Sequence, residues 1–353
     1  MGSVKDLEII KKPTEHAMGV GRFHFSDRYS VFDWGEMPDL IDGKGAALCM
    51  MGAYCFERLE KQGVKTHYRG LVDKSGKAVR FDELEQPSNI MEINLVNVYT
   101  PKPVMRKDKL SYDYSIYTSD LRNFLVPLET IYRNGLPEGS SVFKRLEQGL
   151  VTLADLGLSH YPHAGERLEK PIFDVSTKLE EGDRYVTWAE AQSISGLTSS
   201  ELGKVKTLVL RVDDLITQLA ASADLINEDG KIELAFDTER RLMVVDVVGT
   251  LDECRFTYNG LHVSKEIARQ YYRETDWYKD LEKAKSKAIT EGTEDWKRLV
   301  KIKPPKLDPI LKNIISRMYL AAANEFTKKK IFTVPKLAEI VKEYEKYRLQ
   351  GAN

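Results

Sequence analysis

Residues 231–248 read KIELAFDTERRLMVVDVV, two apolar-alternating runs around a polar turn. A period of two puts Ile232, Leu234 and Phe236 on one face of the first strand and Lys231, Glu233 and Asp237 on the other. The second strand is apolar except for Asp246. With a four-residue turn, Thr238–Arg241, Asp237 faces Leu242 and Glu233 faces Asp246. Directly opposed side chains sit with Cβ atoms about 5 Å apart, where like charges repel. A carboxylate in an apolar strand also bears a desolvation cost unless it is paired or binds a metal. Three readings fit: a Mg²⁺ site shared with substrate phosphates, a Lys231–Asp246 ion pair, or a register one residue away that separates the acids.

The chain continues as GTLDECRF (249–256), placing Asp252 and Arg255 just past the strand that carries Asp246. They read as ligand-facing groups at a strand end or as a local surface pair. Upstream, residues 131–146 read IYRNGLPEGSSVFKRL. Gly135, Gly139 and the serines allow a backbone nest for an anion, Arg133 offers a bidentate fork, and Lys144 and Arg145 add charge. A polar connection with no ligand fits the same residues. HAMGVGRFHFSDRYSVFDWG (16–35) holds a lone Gly19-x-Gly21 followed by Arg22, which is weak evidence of a nucleotide loop. His160 and His163 read as candidate ligands or as surface-loop residues without a ligand.

Around these segments the pattern is mixed. Residues 46–62 put Leu48, Met51, Cys55 and Leu59 at helical spacing, with Gly63 as the stop. NIMEINLVNVYTP (89–101) and NFLVPLETIYRNG (123–135) read as strands of an antiparallel sheet, separated by the polar excursion PKPVMRKDKLSYDY (101–114). Residues 187–222 read as helical, capped by Thr187 and striped by Leu208, Val212, Leu215 and Leu219. From about 264 the chain is helical and charged, broken by KIKPPKLDP (301–309) and Pro335. The tail helices carry mixed charge, so their apolar faces are expected to complete the domain or a dimer rather than bind a membrane.

The 353 residues, 42% hydrophobic and 30% charged, suit a globular chain with a real core. A net charge of −1 argues against nucleic acid as a partner. No apolar run approaches the roughly 20 residues that span a bilayer. Three scattered cysteines without a CxxC argue against zinc or a disulfide framework and for a reducing cytoplasm. The start, MGSVKDLEII, lacks a signal-peptide apolar region, and Asp6 spoils a myristoylation pattern.

Several stretches together, in matching order over roughly residues 7–275, resemble the SAICAR synthetase (phosphoribosylaminoimidazole-succinocarboxamide synthetase) family of purine biosynthesis. Ser26–Asp33 (SDRYSVFD) is similar to its TDRISAFD segment, and Lys44-Gly45 to the K-G that opens a helix soon after. Arg133-Asn134…Gly139-Ser140…Lys144-Arg145-Leu146 resembles its R-N…G-S-x-x-K-R-L loop. The strand starting at Asp229-Gly-Lys-Ile-Glu is similar to D-F-K-L-E-F, and Asp246…Asp252-Glu-Cys-Arg255 to D-E…P-D-x-x-R.

The resemblance implies an α+β, two-lobed α/β fold. Residues 1–130 would be a β-rich, antiparallel ATP-binding lobe, 131–275 a mixed α/β lobe with the substrate and metal sites, and 276–353 a helical C-terminal extension. It implies an ATP- and Mg²⁺-dependent ligase that joins L-aspartate to the carboxylate of CAIR, a carboxylated aminoimidazole ribonucleotide, through an acyl phosphate. Lys231 and Asp246 would be catalytic, with Glu233 and Asp246 at the metal. Arg133, Ser140 or Ser141, Arg255 and Asp252 would hold the ribonucleotide, and Lys178 and Asp183 the aspartate. Lys11, Lys12, Arg22, Lys44 and Glu233 would serve ATP. The expected assembly is a homo-oligomer.

The chain departs from the family pattern in places. Val247 stands where the family commonly has Glu, and the N-terminal G-K-x-[KR]-D loop has no clean match, falling on Lys11-Lys12 or on Gly19–Arg22. A paralogous amide-forming ligase with another carboxylate substrate, or a non-catalytic nucleotide-binding regulator, would share much of this pattern.

Overall fold

The computed structural model describes residues 4–106, 109–263, 265–291 and 295–351. Residues 1–3 of the N-terminal start and 107–108 of the polar excursion lie outside the described residues. Two antiparallel sheets carry the architecture. The first is built from β1 (Lys5–Lys11), β2 (Gly19–Phe25), β3 (Tyr68–Val72), β4 (Ala78–Val79) and β5 (Ile90–Leu95), in the order β1-β2-β5-β3-β4. A two-stranded hairpin follows, β6 (Lys102–Arg106) with β7 (Lys109–Asp113). The second sheet orders β13 (Leu261–His262), β12 (Cys254–Tyr258), β10 (Ile226–Phe236), β8 (Phe124–Leu136) and β9 (Glu166–Thr177), with β11 (Leu242–Val245) paired to β10.

Helix α1 (Lys44–Lys61) packs on the first sheet and is buried on most sides, including Leu48, Met51, Cys55 and Leu59. Its start is fixed by Asp27, whose carboxylate accepts from the backbone N–H of Gly43 (3.0 Å) and Gly45 (2.9 Å). Gly63, at φ +76°, follows its end in the left-handed conformation that glycine adopts freely. The helices α2 (Ser141–Glu147), α3 (Trp188–Ser195) and α4 (Ser199–Ala221) belong to the second half. Thr187 caps α3 as expected, but Gly196 at φ +64° splits the 187–222 stretch into α3 and α4. The apolar stripe of α4 centres on Val205, Val209, Val212 and Ile216, with Leu208 and Leu219 half-buried at its margins.

Two expectations need correction. The strands at 89–101 and 123–135 lie in different sheets, touching through one bridge between Asn97 and Phe124. The excursion between them closes on itself as the β6–β7 hairpin, freeing β8 to pair with both β9 and β10. The 231–248 hairpin has the shifted register: Phe236 pairs with Leu242 and Glu233 with Val245. Asp237 causes the shift by joining the turn. Its buried carboxylate accepts from the backbone N–H groups of Glu239 and Arg241 (both 2.8 Å) and pairs with Lys65 and Arg241.

The C-terminal α5 (Glu266–Arg273), α6 (Asp276–Glu291), α7 (Pro309–Thr327) and α8 (Leu337–Gly351) complete the molecule. Helix α7 packs on α1 and α8, and Leu311, Ile315, Met318 and Phe326 join the same core as α1. Much of the apolar face of α7 and α8 is thus covered by the chain itself, while Ile310 and Leu349 stay exposed. No helix among the described residues is long and apolar enough to cross a membrane.

Candidate active site

The central strands of the second sheet set charged residues side by side. Asp229 on β10 pairs in register with Arg133 on β8 and with Arg255 on β12. Four residues on, Glu233 lies opposite Glu129 of β8, two like charges that would repel if left alone. Lys178, just past β9, bridges them at 2.5 Å from Glu233 and 3.2 Å from Glu129, while Lys231 reaches Glu129 at 3.0 Å.

This face opens into two cavities. One, about 640 Å³, is walled by Leu7, Ile9, Phe23, Leu95, Val98 and Val245, and ends in Lys5, Lys178, Lys231, Glu233, Asp246 and Glu253. The other, about 510 Å³, gathers Arg133, Arg255, Lys265, Arg269, Arg273 and Lys285 around Ser141, with acids such as Asp229, Asp252 and Glu266 between them, and Lys231 and Glu253 line it as well. An apolar slot ending in mixed charge suits a nucleotide, whose base stacks and whose phosphates meet cations. The cationic cavity suits a phosphorylated anion.

Asp246 leaves the β11 ladder at φ +62°, a left-handed conformation tolerated best by Gly, Asn and Asp. Its carboxylate meets the Lys5 ammonium at 2.8 Å. Thus Asp246 and Glu233 share a cavity despite the register that keeps them from pairing. Burial alone would raise the Asp246 carboxyl, but Lys5, Lys231 and Lys178 hold it well below its ordinary range. Glu233 goes the other way: burial, then the Asp246 charge, push it up to about 8 against the pull of Lys178 and Lys231. Buried His67 donates from Nε2 to the Asp246 carbonyl (3.1 Å), and its imidazole is lowered by burial to about 4.

In the cationic cavity Arg133 is almost fully buried. It meets Asp174 (3.0 Å), Asp229 (3.3 Å), the Ser141 hydroxyl (3.2 Å) and the Tyr185 hydroxyl (3.1 Å). Ser141 lines the cavity, whereas Ser140 is the N-cap of α2 and accepts from the Val142 N–H. Arg255 pairs with Asp229, not with Asp252. Asp252 lines the cavity edge and is held by Lys44 at 2.7 Å, which keeps its carboxyl at about 2 against the effect of burial. Asp183 lines this cavity and also a larger neighbouring one of about 1050 Å³, with Lys285 common to both; burial raises its carboxyl.

Most of the expected site residues converge here; besides Ser140, four do not. Lys11 and Lys12 are exposed at the end of β1 and line neither cavity. Arg22 points to the opposite face of β2, where it bonds Glu92 (3.2 Å) and the Gly76 carbonyl (2.8 Å). Lys44 is fully buried beneath Asp252. Lys5 is the cation that β1 does set in the apolar cavity, beside Asp246. Its signal was the period-two series Lys5, Leu7, Ile9, which turns one face of β1 toward the apolar cavity. Glu253, Arg269 and Arg273 were also missed, although the two arginines are spaced i, i+4 on α5.

No group of three or more His, Cys, Asp or Glu side chains among the described residues is arranged to chelate a metal alone. The donors present are the carboxylates of Glu233, Asp246 and Glu253; the buried Glu253 Oε2 makes no hydrogen bond and is met by the Lys231 ammonium at 3.4 Å. Such a set fits Mg²⁺, which binds through one or two carboxylates and takes the rest of its shell from phosphates and water.

Lys231 and Glu253 line both the apolar and the cationic cavity, so ligands in the two would meet at these side chains, the arrangement of a two-substrate enzyme site. The chain belongs to the SAICAR synthetase family, whose model matches residues 13–291. It is 52% identical over 343 residues to a provisionally named phosphoribosylaminoimidazole-succinocarboxamide synthase of Archaeoglobus fulgidus, covering 97% of this chain and 98% of that one. It is 36% identical to the synthase of Thermoplasma volcanium, over 76% of this chain and 83% of that one. The fold is similar to SAICAR synthase from Saccharomyces cerevisiae complexed with SAICAR (TM-score 0.61, 19% identity, 94% of each chain). It is also similar to a type-2 SAICAR synthetase in complex with ADP (TM-score 0.55, 19% identity, 87% of this chain and 99% of that one).

Proposed function

We infer that the chain is an ATP-dependent ligase joining L-aspartate to the carboxylate of CAIR, forming SAICAR, ADP and phosphate. Family membership supports the reaction. The meeting of the two cavities at Lys231 and Glu253 is the observation that carries the mechanism.

A free carboxylate is a poor acceptor for an amine. In this reading its oxygen attacks the γ-phosphorus of ATP, ADP leaves, and an acyl phosphate results. The ammonium of aspartate gives up a proton, the neutral amine attacks the acyl carbon, the C–N bond forms with loss of a second proton from nitrogen, and phosphate departs with the original carboxylate oxygen. The residues serve mainly to position reactants and neutralise charge. Arg133, Ser141 and Arg255 hold the ribonucleotide phosphate, and Ser140 keeps α2 in place. Lys231 stands where the γ-phosphate and the carboxylate would meet. Lys5 takes the role of phosphate-end cation, in place of Lys11, Lys12 and Arg22. Asp183 is assigned to the aspartate ammonium, and Lys178 orients Glu129 and Glu233. Mg²⁺ held by Glu233 and Asp246, with Glu253 adjacent, would supply charge neutralisation between the phosphates.

Val247 does not favour a different carboxylate substrate. Its side chain is buried and packs toward Gly52 of α1, away from the cavity lining. The three buried free cysteines accord with a cytoplasmic setting. Incubation with ATP, Mg²⁺, CAIR and L-aspartate should yield ADP and SAICAR by mass spectrometry. Well-folded protein that forms neither would sink this reading.

A further inference from the structure

The segment past residue 291 lies outside the span matched by the family model, yet it reaches the back of the cationic cavity. Tyr319, on α7, is almost fully buried, and its hydroxyl donates to Asp252 Oδ1 at 2.7 Å. The other oxygen of the same carboxylate takes the Lys44 ammonium at 2.7 Å, and that ammonium also lies 5.7 Å from the centre of the Tyr319 ring. Lys44 in turn donates to the Arg28 carbonyl (3.2 Å). The two oxygens of Asp252 are therefore held from two helices, α1 and α7, while its edge lines the cavity with Lys265 and Arg255.

A carboxylate fixed at one oxygen can rotate; fixed at both, it presents one orientation to a ligand. The helix that supplies the second contact packs on the first through shared core, and its Ser316 Oγ donates to the carbonyl of Asp42, just before α1 (2.6 Å). We propose that Tyr319 is a positioning residue for the ribonucleotide cavity, acting through Asp252, so that the C-terminal helices form part of the active-site framework. Tyr319 touches no substrate. Removing its hydroxyl frees Asp252 Oδ1 to turn toward Lys265, which also lines the cavity, and the ligand then meets a differently set carboxylate.

This inference rests on the SAICAR-forming reading, and the probe is SAICAR itself. Calorimetric titration of Tyr319→Phe should show SAICAR binding about tenfold weaker than wild type with ADP binding unchanged, as expected for a hydrogen bond to a charged group. Asp252→Asn should weaken SAICAR comparably, and the double variant should lose little more, because both act on one element. Ser316→Ala, which loosens α7 without touching Asp252, should lower the melting temperature and leave SAICAR affinity unchanged. Unaltered SAICAR binding in Tyr319→Phe, additive losses in the double variant, or an equal loss in Ser316→Ala would overturn the proposal. Wild type that binds ADP but not SAICAR would instead overturn the functional reading beneath it.

Discussion

The Lys231 ammonium lies 3.4 Å from the Glu253 carboxylate, and these two side chains line both cavities at once. The relationship places a fixed positive charge where one ligand would pass a phosphoryl group to another. Lys231 also faces Glu129 at 3.0 Å and Glu233 at 3.7 Å, so burial is offset by three carboxylates and its ammonium stays charged.

Lys231→Met should lower kcat by about 10²–10³-fold, the usual cost of losing a charge-stabilising donor in a preorganised site. The change also takes the Lys231 cation from Glu253 and leaves Glu129 and Glu233 to Lys178 alone, so the melting temperature should fall. Steady-state rates beside a thermal melt separate the two effects. A variant with near wild-type kcat would remove Lys231 from the chemistry.

Asp246→Asn should abolish turnover while the protein stays folded. Asn tolerates the left-handed backbone at this position and matches the side chain in size, so the change removes charge with little strain. Rates measured across a Mg²⁺ series, with circular dichroism on the same samples, provide the check; activity restored at high Mg²⁺ would make Asp246 a contributor to metal affinity alone.

The adjacent serines should respond differently. Ser141→Ala should raise KM for the ribonucleotide several-fold and leave KM for ATP alone, since its hydroxyl lines only the cationic cavity. Ser140→Ala should cost about 1 kcal/mol of stability through the lost helix cap, with both KM values unchanged. Paired kinetics and denaturant melts on the two variants would expose a reversed assignment.

Stability without ligands should depend on Glu233. Burial, and then the Asp246 charge, push its carboxyl up to about 8 from the ordinary 4.5, so the folded state holds more protons than the unfolded state between those values. Stability therefore falls as pH rises through that window. His67, lowered to about 4, acts in the opposite sense below 6.5 and partly cancels the slope there. Between pH 6.5 and 8 the unfolding free energy should fall in wild type and stay nearly flat in Glu233→Gln. Equal slopes in urea titrations of both proteins would contradict the assignment.

How much of this was legible in the sequence depends on whether a contact is local. The α1 helix, the β10–β11 hairpin and the Arg133–Ser141 loop follow from period, turn residues and charge over short spans. The meeting of Arg133, Asp229 and Arg255 needs the strand order β8-β10-β12, which no local pattern encodes. The four-residue turn was the natural alignment for 231–248, and it failed because Asp237 spends its carboxylate on the turn backbone. Asp246 still reaches the cavity of Glu233 because its backbone turns left-handed, a feature invisible in apolar alternation. The N-terminal cations were misplaced for a related reason: Lys11, Lys12 and Arg22 look like phosphate ligands by type, and only the pairing of β1 with β2 shows which face each occupies.

The central claim is that the CAIR carboxylate takes the γ-phosphoryl group of ATP across the Lys231 seam before aspartate attacks. CAIR labelled with ¹⁸O in its carboxylate tests this directly, by mass spectrometry of the phosphate released with ADP and SAICAR. Transfer of one ¹⁸O to phosphate for each SAICAR formed is the predicted result. SAICAR formed with unlabelled phosphate would contradict the account.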